Sequence, residues 1–273
     1  MPFSYFDSQE LENHFIVVNW DQRGCGKSHY SNFPNETLTL KQILSDTKEL
    51  VSFLRNEYSK DKIFLIGHSW GSILGMYTVA SHPEEFYAYI GMGQVINSIE
   101  GELMSYQYAL QKAKEAKDTA SVNQLNSIGL PPYEGYQSTS IQRNILGKYN
   151  GVFGGELTYP EIIRIINNSP DYTQKDKQNI LPVFIQVNNQ MWEQVTTIDL
   201  TGIKRIKVPV YFFLGKYDYS VPFELAERYL IKLKAPYKKI VWFENSGHYP
   251  NLEEPKKYQD MLINVVLKNT LSQ

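Results

Sequence analysis

The pentapeptide Gly67-His68-Ser69-Trp70-Gly71 directly follows the apolar run Ile63-Phe64-Leu65-Ile66 and precedes a helix-like stretch. A strand that turns at once into a helix forces its central residue into a strained conformation, and flanking glycines let the neighbouring backbones approach closely. The pattern therefore fixes a strand, an elbow and a helix, with Ser69 exposed at the strand tip. The N-terminus of the following helix offers backbone N–H groups where negative charge develops. Ser69 is the candidate nucleophile and the Trp70 N–H the candidate oxyanion donor.

Two further loops follow in the order Asp, then His. The apolar run Val208 to Leu214 leads into Gly215-Lys216-Tyr217-Asp218, which puts an acid just past a strand end, where open α/β sheets place functional groups. The run Lys239 to Phe243 leads into Glu244-Asn245-Ser246-Gly247-His248, which puts an imidazole at the same edge. Histidine takes the serine proton and returns it to the leaving group, while the acid fixes the tautomer. Asp218 and His248 are the candidate acid and base. Asp46 and Glu244 are weaker candidates for the acid, and the other four of the five histidines lack a comparable partner pattern.

Between these signals the chain alternates strand and helix, the mark of a parallel sheet. Phe15 to Trp20 reads as a buried strand, Thr39 caps a helix whose apolar face runs from Leu40 to Leu54, and Phe86 to Ile90 reads as another strand. Helices are expected at Phe223–Lys234 and Pro255–Lys268. From about Val95 to Lys207 the pattern turns helical, polar and tyrosine-rich, broken by Gly129-Leu130-Pro131-Pro132 and Gly151-Val152-Phe153-Gly154-Gly155. This stretch reads as a lid, with Tyr106, Tyr108, Tyr133, Tyr136, Tyr149, Phe153 and Trp192 as candidate aromatic walls.

Gly24-Cys25-Gly26-Lys27-Ser28 is half of a phosphate-binding loop, but Asp21 stands where that loop needs its first glycine, and a carboxylate there repels phosphate. Asp21 and Arg23 read instead as a local charge and hydrogen-bond lock. A net charge of −2 gives no electrostatic case for nucleic acid or an anionic membrane. No apolar segment approaches membrane-spanning length, no cluster has metal-ligand spacing, and no cofactor motif is present. The single cysteine, Cys25, excludes an intrachain disulfide and suits a reducing compartment, so a cytoplasmic location is expected.

These residues resemble the α/β-hydrolase superfamily, and within it the proline iminopeptidase-like serine peptidases. The similarity rests on Trp20-Asp21-Gln22-Arg23-Gly24, the elbow with Trp70, Asp218 with Val221-Pro222, and Gly247-His248 followed by Glu253-Glu254-Pro255. It implies an α/β fold, a mostly parallel sheet flanked by helices, with the core over residues 1–95 and 208–273 and a helical cap over 96–207. It further implies release of N-terminal residues, proline foremost, from a short peptide or small-molecule substrate. An esterase, lactonase or C–C hydrolase shares the same apparatus. Such an aminopeptidase needs cap carboxylates for the substrate ammonium, for which Glu156 and Glu193 are the candidates, beside Trp192.

The resemblance also sets a specific expectation for the start of the chain. Related enzymes carry three strands and a His-Gly-Gly-Pro-Gly loop, donor of a second oxyanion N–H, before the Trp-Asp-Gln-Arg segment. Met1-Pro2-Phe3-Ser4-Tyr5-Phe6 is similar to the sequence just after that loop. The N-terminal strands and loop are therefore expected to be missing, leaving either a gap in the sheet or direct pairing of Phe15–Trp20 with Ile63–Ile66. Impaired activity, or a silent binding protein on a hydrolase scaffold, is the corresponding functional alternative.

Overall fold

A computed structural model describes residues 10–271; the segment Met1–Phe6 and its expected likeness lie outside them. The centre is a four-stranded parallel sheet in the order β1 (Ile63–His68), β2 (Phe86–Met92), β3 (Val210–Gly215) and β4 (Lys238–Phe243). Helix α1 (Leu40–Glu57) precedes β1, with the Thr39 side chain accepting from the Gln42 N–H as expected of its cap. Helix α2 (Trp70–Ser81) connects β1 to β2, and α8 (Phe223–Lys232) connects β3 to β4. Beyond β4 lie the single turn α9 (Pro250–Glu253) and α10 (Pro255–Met261), which continues through a π-helical stretch, Leu262–Leu267.

The period-two pattern of the strands divides the core. Val210, Phe212 and Leu214 of β3 pack with Val51 of α1, Ile73 and Met76 of α2, and Leu225 and Tyr229 of α8. Tyr211 and Phe213 face the other way, onto Ala88 and Ile90 of β2, Phe243 of β4, and Tyr258, Leu262 and Val266. A strand buried on both faces needs apolar residues at every position, and all six residues of β3 are buried.

The expected strand at Phe15–Trp20 is not part of the sheet. Phe15 and Val17 pack inward, with the Phe15 ring 5.7 Å from that of Phe64, while Ile16 and Val18 are 58% and 44% exposed. The side chains thus alternate as a strand requires. Yet among the described residues no backbone hydrogen bond joins Ile16–Trp20 to β1. Both line a cavity of about 770 Å³, whose walls include Phe15, Val17, Trp20, Phe64 and Ile66. Alternation settles which side chains point inward, but a strand also needs a partner for its N–H and C=O groups, and among the described residues none pairs with this segment.

Residues between β2 and β3 form five helices: α3 (Ser98–Glu115), α4 (Thr119–Ile128), α5 (Tyr136–Lys148), α6 (Tyr159–Asn168) and α7 (Gln174–Thr196). They enclose a cluster of Tyr106, Ala109, Leu125, Tyr133, Leu146 and Phe153, against which Tyr219 and Tyr249 of the sheet-edge loops and Leu252 of α9 pack. Arg143 of α5 makes two bonds to Glu102 of α3, at 2.5 and 3.1 Å. On the opposite side Met191 of α7 packs with Leu38, Ile43 and Leu74, and the Gln194 side chain accepts from the Leu40 N–H at 2.9 Å. Among the described residues no helix is long and apolar enough to cross a membrane.

Candidate active site

The elbow has the geometry its sequence demands. Ser69 lies between β1 and α2 with φ +53° and ψ −120°, a conformation that L-residues hold only when the surroundings impose it. A Cβ on Gly67 would lie 2.5 Å from the Gly71 carbonyl oxygen and 2.8 Å from Ser72 Cα, so only glycine fits. Gly71 differs from expectation: a Cβ there would meet nothing within 4 Å, and the tight approach requires only the first glycine.

Residues with no signal in the sequence support the turn. The Ser69 N–H donates to the Met92 carbonyl at 2.9 Å, and the Ser72 hydroxyl donates to the Ser69 carbonyl at 2.6 Å. Ser72 Oγ in turn accepts from the Val95 N–H at 3.0 Å, while the Tyr89 hydroxyl reaches both the Ser72 carbonyl and Gln94 Oε1. Burial pushes the Tyr89 phenol well above its ordinary pKa, so it remains a donor. The Trp70 indole N–H donates to Gln22 Oε1 at 2.9 Å, tying the Trp20–Gly24 segment to the elbow.

Asp218 and His248 meet at the ends of β3 and β4. The His248 Nδ1–H donates to Asp218 Oδ2 at 2.8 Å, and Asp218 Oδ1 accepts from the Val221 N–H at 2.9 Å. Both side chains are buried. Gly93, at φ +51°, brings them to the elbow: it follows Met92, which holds the Ser69 N–H, and a Cβ on it would lie 2.8 Å from His248 Cε1 and 3.4 Å from Asp218 Oδ2. Among the described residues Ser69 Oγ makes no hydrogen bond to His248, and the imidazole Nε2 is left for another partner.

His68 has a place that its motif did not disclose. Its Nε2–H donates to the His248 carbonyl at 2.7 Å, with the two rings 4.7 Å apart. Burial, and then the neighbouring His248, lower its pKa from 6.5 to about 3, opposed by the bond to that carbonyl. His68 is therefore a neutral prop beneath His248.

The remaining candidates are dispersed. Asp21 and Arg23 lock their loop through separate partners: Asp21 accepts from the Lys27 N–H at 2.9 Å and the Tyr172 hydroxyl at 2.6 Å, whereas Arg23 forms a two-pronged pair with Asp46 at 2.5 and 2.6 Å. That pairing holds the Asp46 carboxyl below its ordinary range, and Glu244 is exposed. Burial, with the Asp21 charge, lifts the Cys25 thiol to about 11 and keeps it protonated. Trp192 spends its N–H on the Tyr133 carbonyl at 2.7 Å and packs among the inserted helices. Glu156 and Glu193 are both exposed; Glu156 follows the Gly154-Gly155 pair, which lies against the His248 loop, while Glu193 faces solvent from α7. Neither is drawn to Ser69 or His248 by a hydrogen bond.

The sequence profile of the serine aminopeptidase S33 family matches residues 9–255. A probable aminopeptidase, YbaC, of Bacillus subtilis is 31% identical over 258 residues, spanning 93% of this chain and 80% of that protein. A proline iminopeptidase of Heyndrickxia coagulans is 23% identical over 251 residues, spanning 89% and 78% of the two chains. The crystal structure of proline iminopeptidase from Mycobacterium smegmatis shares the fold, with a TM-score of 0.62 at 11% identity, covering 92% of this chain and 79% of that one. With an elbow serine, a paired acid and histidine at neighbouring strand ends and a family profile over most of its length, the chain belongs to the serine aminopeptidase S33 family and is a hydrolase of the α/β fold.

Proposed function

We propose that the chain is a serine aminopeptidase that releases N-terminal residues, proline foremost, from short peptides through an acyl-enzyme. Ser69 Oγ attacks the scissile carbonyl as His248 Nε2 takes its proton. Asp218 Oδ2 holds the Nδ1–H, fixing the tautomer and stabilising the imidazolium. The Trp70 N–H, the first of α2 and without a partner inside the helix, donates to the tetrahedral oxyanion. The imidazolium gives its proton to the leaving amine, and water, activated by the same nitrogen, releases the acyl group. The helices between β2 and β3 act as a cap over this edge, and Glu156 is the cap carboxylate kept as a candidate for the substrate ammonium. A reducing, cytoplasmic setting fits the single cysteine.

The observation that carries this reading is the 2.8 Å bond from His248 Nδ1 to Asp218, made beside an elbow serine held at φ +53°. The names of the relatives supply the peptidase preference. Turnover of prolyl and alanyl arylamides is to be compared with that of simple aryl esters, each relative to its uncatalysed rate. The peptidase reading expects prolyl arylamides to show the largest acceleration. Larger acceleration of the esters would transfer the site to an esterase or lactonase.

A further inference from the structure

Glu253-Glu254-Pro255 has no part in the chemistry above, yet both carboxylates are engaged by the loop that bears His248. Glu254 accepts from the Asn245 N–H at 3.1 Å and from the Ser246 hydroxyl at 2.7 Å. Glu253 reaches in two directions. Its Oε2 accepts from the Gly247 N–H at 2.7 Å, and its Oε1 accepts from the N–H groups of Gly154 and Gly155 at 2.6 and 3.1 Å. Gly154 and Gly155 belong to a strap, residues 151–155, between α5 and α6. One carboxylate thus joins the residue before His248 to the helical insertion.

The strap is interlaced with the same two loops by its own backbone. The Val152 carbonyl accepts from the His248 N–H at 2.7 Å, and the Gly151 carbonyl accepts from the Tyr219 N–H, next to Asp218, at 2.9 Å. Contact is backbone to backbone. A Cβ on Gly154 would lie 2.6 Å from the Asn245 carbonyl oxygen, and one on Gly247 would run into the Val152 backbone. Burial pushes the Glu253 carboxyl up, while the N–H groups of Gly154, Gly247 and Gly155 oppose this by favouring the ionised form, whose bonds from N–H groups are roughly twice as strong as neutral ones.

We propose that Glu253 is a positioning residue for His248: it seats the strap and the His248 loop together, so that the Asp218–His248 pair is assembled only when the helical insertion is docked. The proposal rests on His248 being the base. Glutamine at position 253 has one acceptor oxygen and turns an N–H₂ group toward one set of donors, so Glu253→Gln must release either Gly247 or the Gly154-Gly155 pair.

The test uses the full chain labelled with ¹⁵N, comparing Glu253→Gln and Glu253→Ala with Glu254→Gln, which touches the loop and not the strap. Amide exchange at Gly247, Gly154 or Gly155 is expected to rise at least tenfold in both Glu253 variants, with β2 and β3 amides unchanged. The downfield His248 Nδ1 proton should shift or broaden. On a prolyl arylamide, kcat should fall at least tenfold with KM within threefold, whereas Glu254→Gln should leave Gly154 and Gly155 exchange intact. Unchanged exchange and an unchanged His248 proton would overturn the proposal, as would an equal loss of protection across the sheet. Turnover that survives Ser69→Ala would instead sink the peptidase reading, while the exchange and proton signals still decide the role of Glu253.

Discussion

At the β3–β4 flank of the sheet every residue of β3 is buried, and the loops beyond are bound by backbone and carboxylate hydrogen bonds from three segments. At the β1 flank Ile66 is 40% exposed, and the alternating Phe15–Trp20 segment lines a cavity with β1 and makes no backbone hydrogen bond to it among the described residues. Both flanks have strand-like sequences. What separates them is partnership: β3 pairs on both edges with β2 and β4, whereas β1 pairs only with β2 among the described residues. The elbow serine emerges from the loosely bounded flank, and the hydrogen-bonded pair Asp218 and His248 from the tightly bounded one.

The largest expected effect lies on the tight flank. Asp218→Asn replaces the acceptor of the His248 Nδ1–H with a group that favours the wrong tautomer, and kcat should fall by about 10⁴-fold with little change in melting temperature. A loss under tenfold, measured on any substrate the native chain turns over, would separate the pair from the chemistry.

A matched pair of substitutions compares the flanks in stability. Phe213→Ala empties a fully buried site and should cost about 3–5 kcal/mol in denaturant unfolding. Ile66→Thr, on the cavity wall, should change stability by no more than about 0.5 kcal/mol. Equal costs would mean that the β1 flank is as well packed as the other and that the cavity closes in solution.

A third comparison joins the flanks through His68. This imidazole stays neutral in the folded chain down to about pH 3, but in the unfolded chain it takes a proton near its ordinary pKa of 6.5. The unfolded state therefore binds more protons as pH falls, and His68 contributes stability that is present above pH 6.5 and is lost progressively toward pH 3. His68→Gln keeps an N–H for the His248 carbonyl and removes the titration. Between pH 6 and pH 4 its melting temperature should fall less steeply than that of the native chain, as measured by calorimetry; parallel curves would refute the assignment.

The positions of Ser69, Asp218 and His248 were legible because each sits just after an apolar run, and local pattern alone marks a strand end. Helix α1 was legible down to its Thr39 cap for the same reason. The roles of Gly93, Ser72, Tyr89 and Glu253 were not, because each depends on a partner that only the fold brings near: Ser72 accepts from the Val95 N–H 23 residues on, and Glu253, though part of a quoted motif, bonds to the Gly154 N–H 99 positions away. Phe15–Trp20 erred in the opposite sense. Its alternation is real, but strand formation depends on a second backbone that no single segment encodes.

Every proposed step begins with Ser69 as a nucleophile activated from the far flank. A fluorophosphonate phosphonylates only an activated serine, so intact mass followed by peptide mapping tests this directly. The predicted result is one adduct per chain, on Ser69, lost in Ser69→Ala and slowed by at least about 10³-fold in His248→Ala. An adduct on another residue, or equal labelling of native chain and His248→Ala, would contradict it.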